Sequence, residues 1–306
     1  GAAAPVTGGR VLRRPGSSRG RSMKRSTRDG ASSRAGAGRP LDWDVVRAIV
    51  GKDLTAVRRA KAVLLPMLVV PAFLLIVVPL ILTLVAVHTH PDVSSALRSL
   101  PGPMRHAIEK LPGDEQPVML IDGYLLAPMF LIVPLMVSAV MAADAFAGEK
   151  ERKTIEHLLH LPVSDRELFT AKVLGAFLPA LAVSWVGFLG FALVANIAAW
   201  PVMGRVFVPN RLWLAMILWV APAVATLGLG VMVRVSARTR TTQEANQLGG
   251  AVILPLIFLA LGQATGLLLV SLPVALAAGA VLWAIGLGLI RGGVRRFTRD
   301  RLALYS

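Results

Sequence analysis

The chain contains no cysteine and only two tyrosines, and it is short of acidic groups, with 17 Asp and Glu against 33 Lys and Arg. Without cysteine there is neither a disulfide framework nor a thiolate metal site. His88, His90 and His106 lie in one region but at no fixed ligand spacing, so no metal centre is expected. A phosphate-binding loop is missing too: Gly51–Lys52 is followed by Asp53 and has Val46 where the leading glycine belongs. There is no H-E-x-x-H, no aspartate pair inside an apolar block, and no His or Lys beside Ser138 or Ser184 within their blocks. The expectation is a protein that is not itself an enzyme and carries no cofactor.

Charge is also missing from long stretches. Of 306 residues 55% are apolar, and the mean hydropathy is +0.65. Ala62–Val87, Tyr124–Ala143, Val173–Trp200, Leu212–Val233 and Gly249–Ile290 contain no Asp, Glu, Lys, Arg or His. A hydrocarbon core of about 30 Å takes about 20 helical residues, so four blocks each fit one span. The fifth is broken by "SLP" at Ser271–Pro273 and reads as two. The predicted fold is therefore an all-α integral membrane protein of six transmembrane helices. Lys and Arg set its orientation. With the N-terminus inside, the inner segments hold 28 of the 33 basic residues and the outer segments, 88–123 and 201–211, hold 5. Both termini are thus expected in the cytoplasm. Basic residues beside anionic lipid account for the +16 charge, so membrane lipid and not nucleic acid is the expected partner. A carrier driven by protons or sodium usually keeps ionisable groups in its spans. Their absence from all six blocks points to a driving force supplied from outside.

Residues 1–40, Gly-, Ser-, Ala- and Arg-rich without periodicity, predict a disordered basic tail. With Met23 inside it, part of that tail reads as an upstream extension. From Leu41 to Lys61, Val45, Val46, Ile49, Val50, Leu54 and Val57 recur at helical spacing between basic residues, predicting an amphipathic helix at the inner interface. Pro66, Pro71 and Pro79 predict a kinked or unwound first span. In the outer loop 88–123, Met104, Ile108 and Leu111 suit a short surface helix. "GQATG", Gly262 to Gly266, offers a small-xxx-small face for span packing or a dimer seam.

Between the second and third blocks lies "DAFAGEKERKTIEHLLHLPVSDRELFTAK", Asp144 to Lys172. Ile155, Leu158 and Leu159 share one face of a helix predicted from about Glu149 to Leu161, with Glu149, Lys150, Glu151, Arg152, Lys153 and Glu156 at its start and flanks. Pro162 ends it. Ser164 and Glu167 then form a capping box that starts the helix leading into span three. A short helix of mixed charge is thus fixed to the foot of a membrane helix. This suits docking on a cytosolic protein, and equally a solvated connector.

The stretch strongly resembles the loop between spans two and three of ABC-2-type transporter permeases, in particular the branch related to sodium-efflux permeases. The matching residues are Glu149-Lys150-Glu151-Arg152, Thr154-Ile155-Glu156-His157-Leu158-Leu159, Pro162-Val163-Ser164 and Lys172. "KDLTAVRRAK" and "SARTRTTQEANQLGG" follow the family more loosely, so the likeness covers most of 41–306. His157 and His160 depart from it. The resemblance implies a coupling helix seated in a groove of a separate ATPase subunit. Glu149, Lys150, Glu151, Arg152, Thr154, Glu156, Pro162 and Ser164 would belong to that interface, with Ile155, Leu158 and Leu159 as its apolar anchor. It further implies ATP and Mg on the partner chain, a second permease copy or a homologous one, and a bacterial or archaeal cytoplasmic membrane. The expected function is ATP-driven export of a hydrophobic or amphipathic substrate (drug, lipid or peptide) or an ion. The alternative is a non-transporting scaffold or sensor subunit.

Overall fold

In hydrocarbon every backbone amide must find its partner within its own segment, so uncharged runs rich in Leu, Val and Ala become helices. The structure is a computed structural model that describes residues 41–59, 61–100, 102–148, 163–239, 241–250 and 272–294. Among the described residues every regular element is a helix and there is no strand. Among the described residues five helices are long and apolar enough to cross a membrane: Met67–Thr89, Glu115–Gly148, Arg166–Met203, Arg211–Ser236 and Leu272–Gly293. They correspond to five of the six predicted spans. Most of the remaining one, after Gly249, lies outside the described residues, as do the tail 1–40 and residues 149–162.

Helix α1 (Trp43–Arg59) precedes the first span. That span is built from α2 (Lys61–Ala72), a π-turn at Phe73–Val77 and α3 (Val78–Thr89). The irregularity expected from its prolines takes the form of this wide turn, placed between Pro71 and Pro79. Outside it, α4 (Ser94–Arg98) and α5 (Gly102–Glu109) gather Leu97, Met104, Ile108 and Leu120 into a small separate core. The short helix predicted around Met104 and Ile108 is α5. In the turn before α4, Asp92 accepts from the Ser94 amide at 2.9 Å and the Ser94 hydroxyl at 3.1 Å. These bonds hold its carboxyl below the usual carboxylate range.

The second span corrects the sequence reading. Its helix does not begin at Tyr124. It starts at Glu115 and runs through α6 (Glu115–Leu120), a π-turn at Ile121–Leu125, α7 (Ala127–Ala143) and a second π-turn at Asp144–Gly148. Pro117 falls in the first turn of α6, where its missing N–H has no intrahelical partner to lose. Asp122, assigned to the outer loop, is therefore inside the continuous helix and fully buried. The second span is not free of ionisable groups.

Helix α8 (Asp165–Met203) is 39 residues long. At 1.5 Å per residue it spans roughly 58 Å, far more than a hydrocarbon core, so it projects beyond the membrane. Gly204, at φ +57°, ends it in the left-handed conformation that favours glycine, and its amide bonds the Trp200 carbonyl at 3.0 Å. Asn196 ties down the chain that follows. Its Nδ2 donates to the Val208 carbonyl at 2.6 Å, and its Oδ1 accepts from the Phe207 amide at 2.9 Å. Asn210 caps α9 (Arg211–Ala215), which passes through a π-turn at Met216–Val220 into α10 (Ala221–Ser236). The Trp185 indole donates to the Ile217 carbonyl in that turn at 3.1 Å.

The core is centred on α10, which packs on α7 and on α12 (Leu272–Val294). Glycine permits that approach: a Cβ on Gly230 would stand 2.9 Å from the Gly286 carbonyl oxygen, and one on Gly286 would stand 2.8 Å from the Leu227 amide nitrogen. Elsewhere in this core, Phe130 of α7, Phe188 and Phe191 of α8 and Trp213 of α9 form one aromatic cluster, with centroids 4.7–6.3 Å apart.

Candidate coupling site at the foot of the third span

Residues Gly148 and Val163 bracket the charged segment, and the structure describes what anchors each end. The π-turn at Asp144–Gly148 closes the second-span helix on one side. On the other, Ser164 takes extended backbone angles, φ −72° and ψ 150°, and its Oγ accepts from the Glu167 amide at 3.3 Å. Glu167 Oε2 accepts in return from the Ser164 amide at 2.9 Å. The capping box expected from "SDRE" is thus present in full.

Glu167 does more than close that box. Its other oxygen, Oε1, accepts from the Asp42 amide at 3.1 Å, 125 residues away in sequence. Glu167 is only 9% exposed, so its carboxylate joins the start of α8 to the start of α1 in a sheltered position. Helix α1 lies against α8, with Val46 and Val50 buried on Ala171 and with Ile49, Leu54 and Leu174 packed around them. Its basic residues Arg47, Lys52, Arg58 and Arg59 are exposed.

One turn further along α8, Lys172 is buried at 2% exposure and donates from Nζ to the Ala145 carbonyl at 3.2 Å. That oxygen belongs to the π-turn preceding the charged segment. Phe146 of the same turn meets Phe169 of α8 at a centroid distance of 5.7 Å. Helix α11 (Thr242–Gly250) closes the group: a Cβ on Gly148 would lie 3.3 Å from Thr242 Oγ1. The two ends of 149–162 are therefore tied to one another through Lys172, and to α1 through Glu167. No metal-holding cluster of His, Asp or Glu occurs among the described residues. Among the described residues the arrangement is a structural joint between the start of α8, the π-turn at Asp144–Gly148 and the start of α1.

Of the predicted interface, Ser164 is in place as the cap. Glu149, Lys150, Glu151, Arg152, Thr154, Ile155, Glu156, Leu158, Leu159 and Pro162 lie outside the described residues, as do Gly262 and Gly266. The sequence reading did not foresee the Glu167–Asp42 bond, which no local spacing announces. It also missed the close-packed pair Gly230 and Gly286, although "LGLG" at 227–230 and "IGLG" at 285–288 show small residues at regular intervals.

The profile of the ABC-2 family transporter proteins matches residues 47–285, more than half of the chain. The chain belongs to the ABC-2 transporter family. It is thus a multi-pass membrane transport component of an ABC system, without an ATPase of its own, from a family that works with ABC ATPase partners. No curated protein and no solved structure matches it.

Proposed function

We propose that this ABC-2 family member is the permease subunit of an ATP-driven exporter, and that residues 149–162 are its coupling helix. The observation that carries the reading is the joint at Glu167. It fixes the segment's C-terminal end to α8 and α1 together, so a push on the segment reaches two helices at once. Closure of two cytosolic ATPase subunits on ATP and Mg supplies that push. A second permease copy or a homologous one completes the pathway, and both termini face the cytoplasm of a bacterial or archaeal cell. Helix α1 lies along the inner interface, where its exposed basic side chains meet anionic lipid.

The substrate class in this reading is hydrophobic or amphipathic rather than a bare ion. A lateral groove of α8 supports it, lined among the described residues by Ala192, Leu193, Asn196, Ile197, Trp200 and Val206, five of them apolar. The test is the double substitution Leu158→Glu with Leu159→Glu. The variant is expected to fold in the membrane but neither to copurify with the ATPase nor to stimulate it. Full transport by this variant refutes the coupling assignment. ATPase binding without any transported substrate across a broad screen favours a scaffold or sensor subunit.

A further inference from the structure

The first two spans enclose a carboxyl group that the coupling reading does not use. Asp122 has no exposed surface and sits in the π-turn Ile121–Leu125, an irregularity that often marks functional positions in helices. Among the described residues one side chain hydrogen-bonds with it. Thr83 Oγ1 of α3 lies 3.0 Å from Asp122 Oδ1 and 2.9 Å from Oδ2. Among the described residues no Lys or Arg pairs with Asp122.

The same Thr83 oxygen lies 2.8 Å from the Pro79 carbonyl oxygen. A hydroxyl has one hydrogen and serves one acceptor with it. If that hydrogen goes to Pro79, the contact with Asp122 is a hydrogen bond only when the carboxyl brings a hydrogen of its own. If it goes to Asp122, it is the sole donor among the described residues to a full negative charge removed from water, and burying such a charge without a cation is strongly unfavourable. A neutral carboxyl completes the chain: Asp122 donates to Thr83, and Thr83 donates to the Pro79 carbonyl. A metal ion held by oxygens wants about six of them, and among the described residues only these two side chains and one carbonyl converge here.

We propose that Asp122, Thr83 and the Pro79 carbonyl form a proton-binding site between the first two spans. Loss of the proton to solvent leaves a carboxylate, turns the Thr83 hydrogen from Pro79 to Asp122, and obliges the two helices to part or admit water. The titratable groups on the elements packed against this turn are few. His88 of α3 is exposed, with Nδ1 2.8 Å from the Leu84 carbonyl. Glu115 of α6 is paired with Arg205, Tyr124 of the turn itself is half-buried, and α7 contributes none. The site is independent of the coupling segment and stands or falls without it.

Infrared difference spectroscopy on the purified full chain in lipid vesicles at neutral pH tests the proposal. The wild type is expected to show a protonated-carboxyl stretch that is absent in Asp122→Asn and shifted in Thr83→Val. A wild-type-minus-Asp122→Asn spectrum containing carboxylate bands alone overturns it. Should Asp122→Asn not be recovered folded, Thr83→Val decides: a shifted or lost carboxyl band supports the site, and an unchanged carboxyl region refutes it.

Discussion

Replacing Glu167 by alanine removes the acceptor for two backbone amides, those of Ser164 at 2.9 Å and Asp42 at 3.1 Å. Hydrogen bonds to a charged acceptor are worth about 1.5–3 kcal/mol when sheltered. Glu167 is only 9% exposed, but Asp42 is an exposed residue and Ser164 a half-buried one, so water recovers part of each bond. Counting each at about 1 kcal/mol gives a local cost of about 2 kcal/mol, roughly a thirtyfold change in the opening equilibrium. Ser164→Ala, which loses only the cap, costs about half as much, while Ser164→Asp keeps it. Amide hydrogen exchange reads this directly. Peptides covering residues 41–50 and 163–172 of Glu167→Ala are expected to exchange about thirty times faster, with α10 unchanged. With the ATPase partner reconstituted, the same variant still binds it but moves several-fold less substrate per ATP hydrolysed. If exchange at the foot is unaltered, the joint does not hold α1 to α8. If the foot loosens and transport per ATP is unaltered, the joint is structural and force enters elsewhere.

The packing sets the outcome of three further substitutions. Gly286→Ala forces a methyl to within 2.8 Å of the Leu227 amide nitrogen and 2.9 Å of the Thr226 carbonyl carbon, backbone atoms that cannot swing aside. The expected loss is about 1–3 kcal/mol in detergent unfolding. Gly288→Ala, with nothing within 4 Å of its Cβ, is expected to be neutral or stabilising. Asn196→Leu cuts the bonds to Val208 and Phe207 and leaves those backbone groups unserved, at a cost of about 2 kcal/mol. Faster limited proteolysis at 204–209 reads that loss, and unchanged cleavage there contradicts the assignment.

By itself the amino-acid sequence determined where charge is tolerated. Blocks without charge can only be apolar helices in lipid, and five of them stand as such in the fold. It also determined the Ser164–Glu167 cap, because a capping box is a contact three residues long, and the wide turn of the first span, because prolines disturb the helical ladder where they stand. The family was legible at "GEKERKTIEHLLHLPVS" for the same reason: the pattern is local. Tertiary structure decided what depends on two distant segments meeting. Asp122 reads as a loop residue until α3 brings Thr83 beside it, since a buried carboxyl is tolerable only with a partner. Glu167 reads as half of a cap until the Asp42 amide arrives from the start of α1. Gly230 and Gly286 are two glycines among 28 until α10 and α12 close on each other and leave no room for a methyl group. Local rules place the helices in the membrane and start α8 at its Ser164 cap. Which side chains then become joints and sites is set by contacts between helices, and no spacing along the chain encodes those.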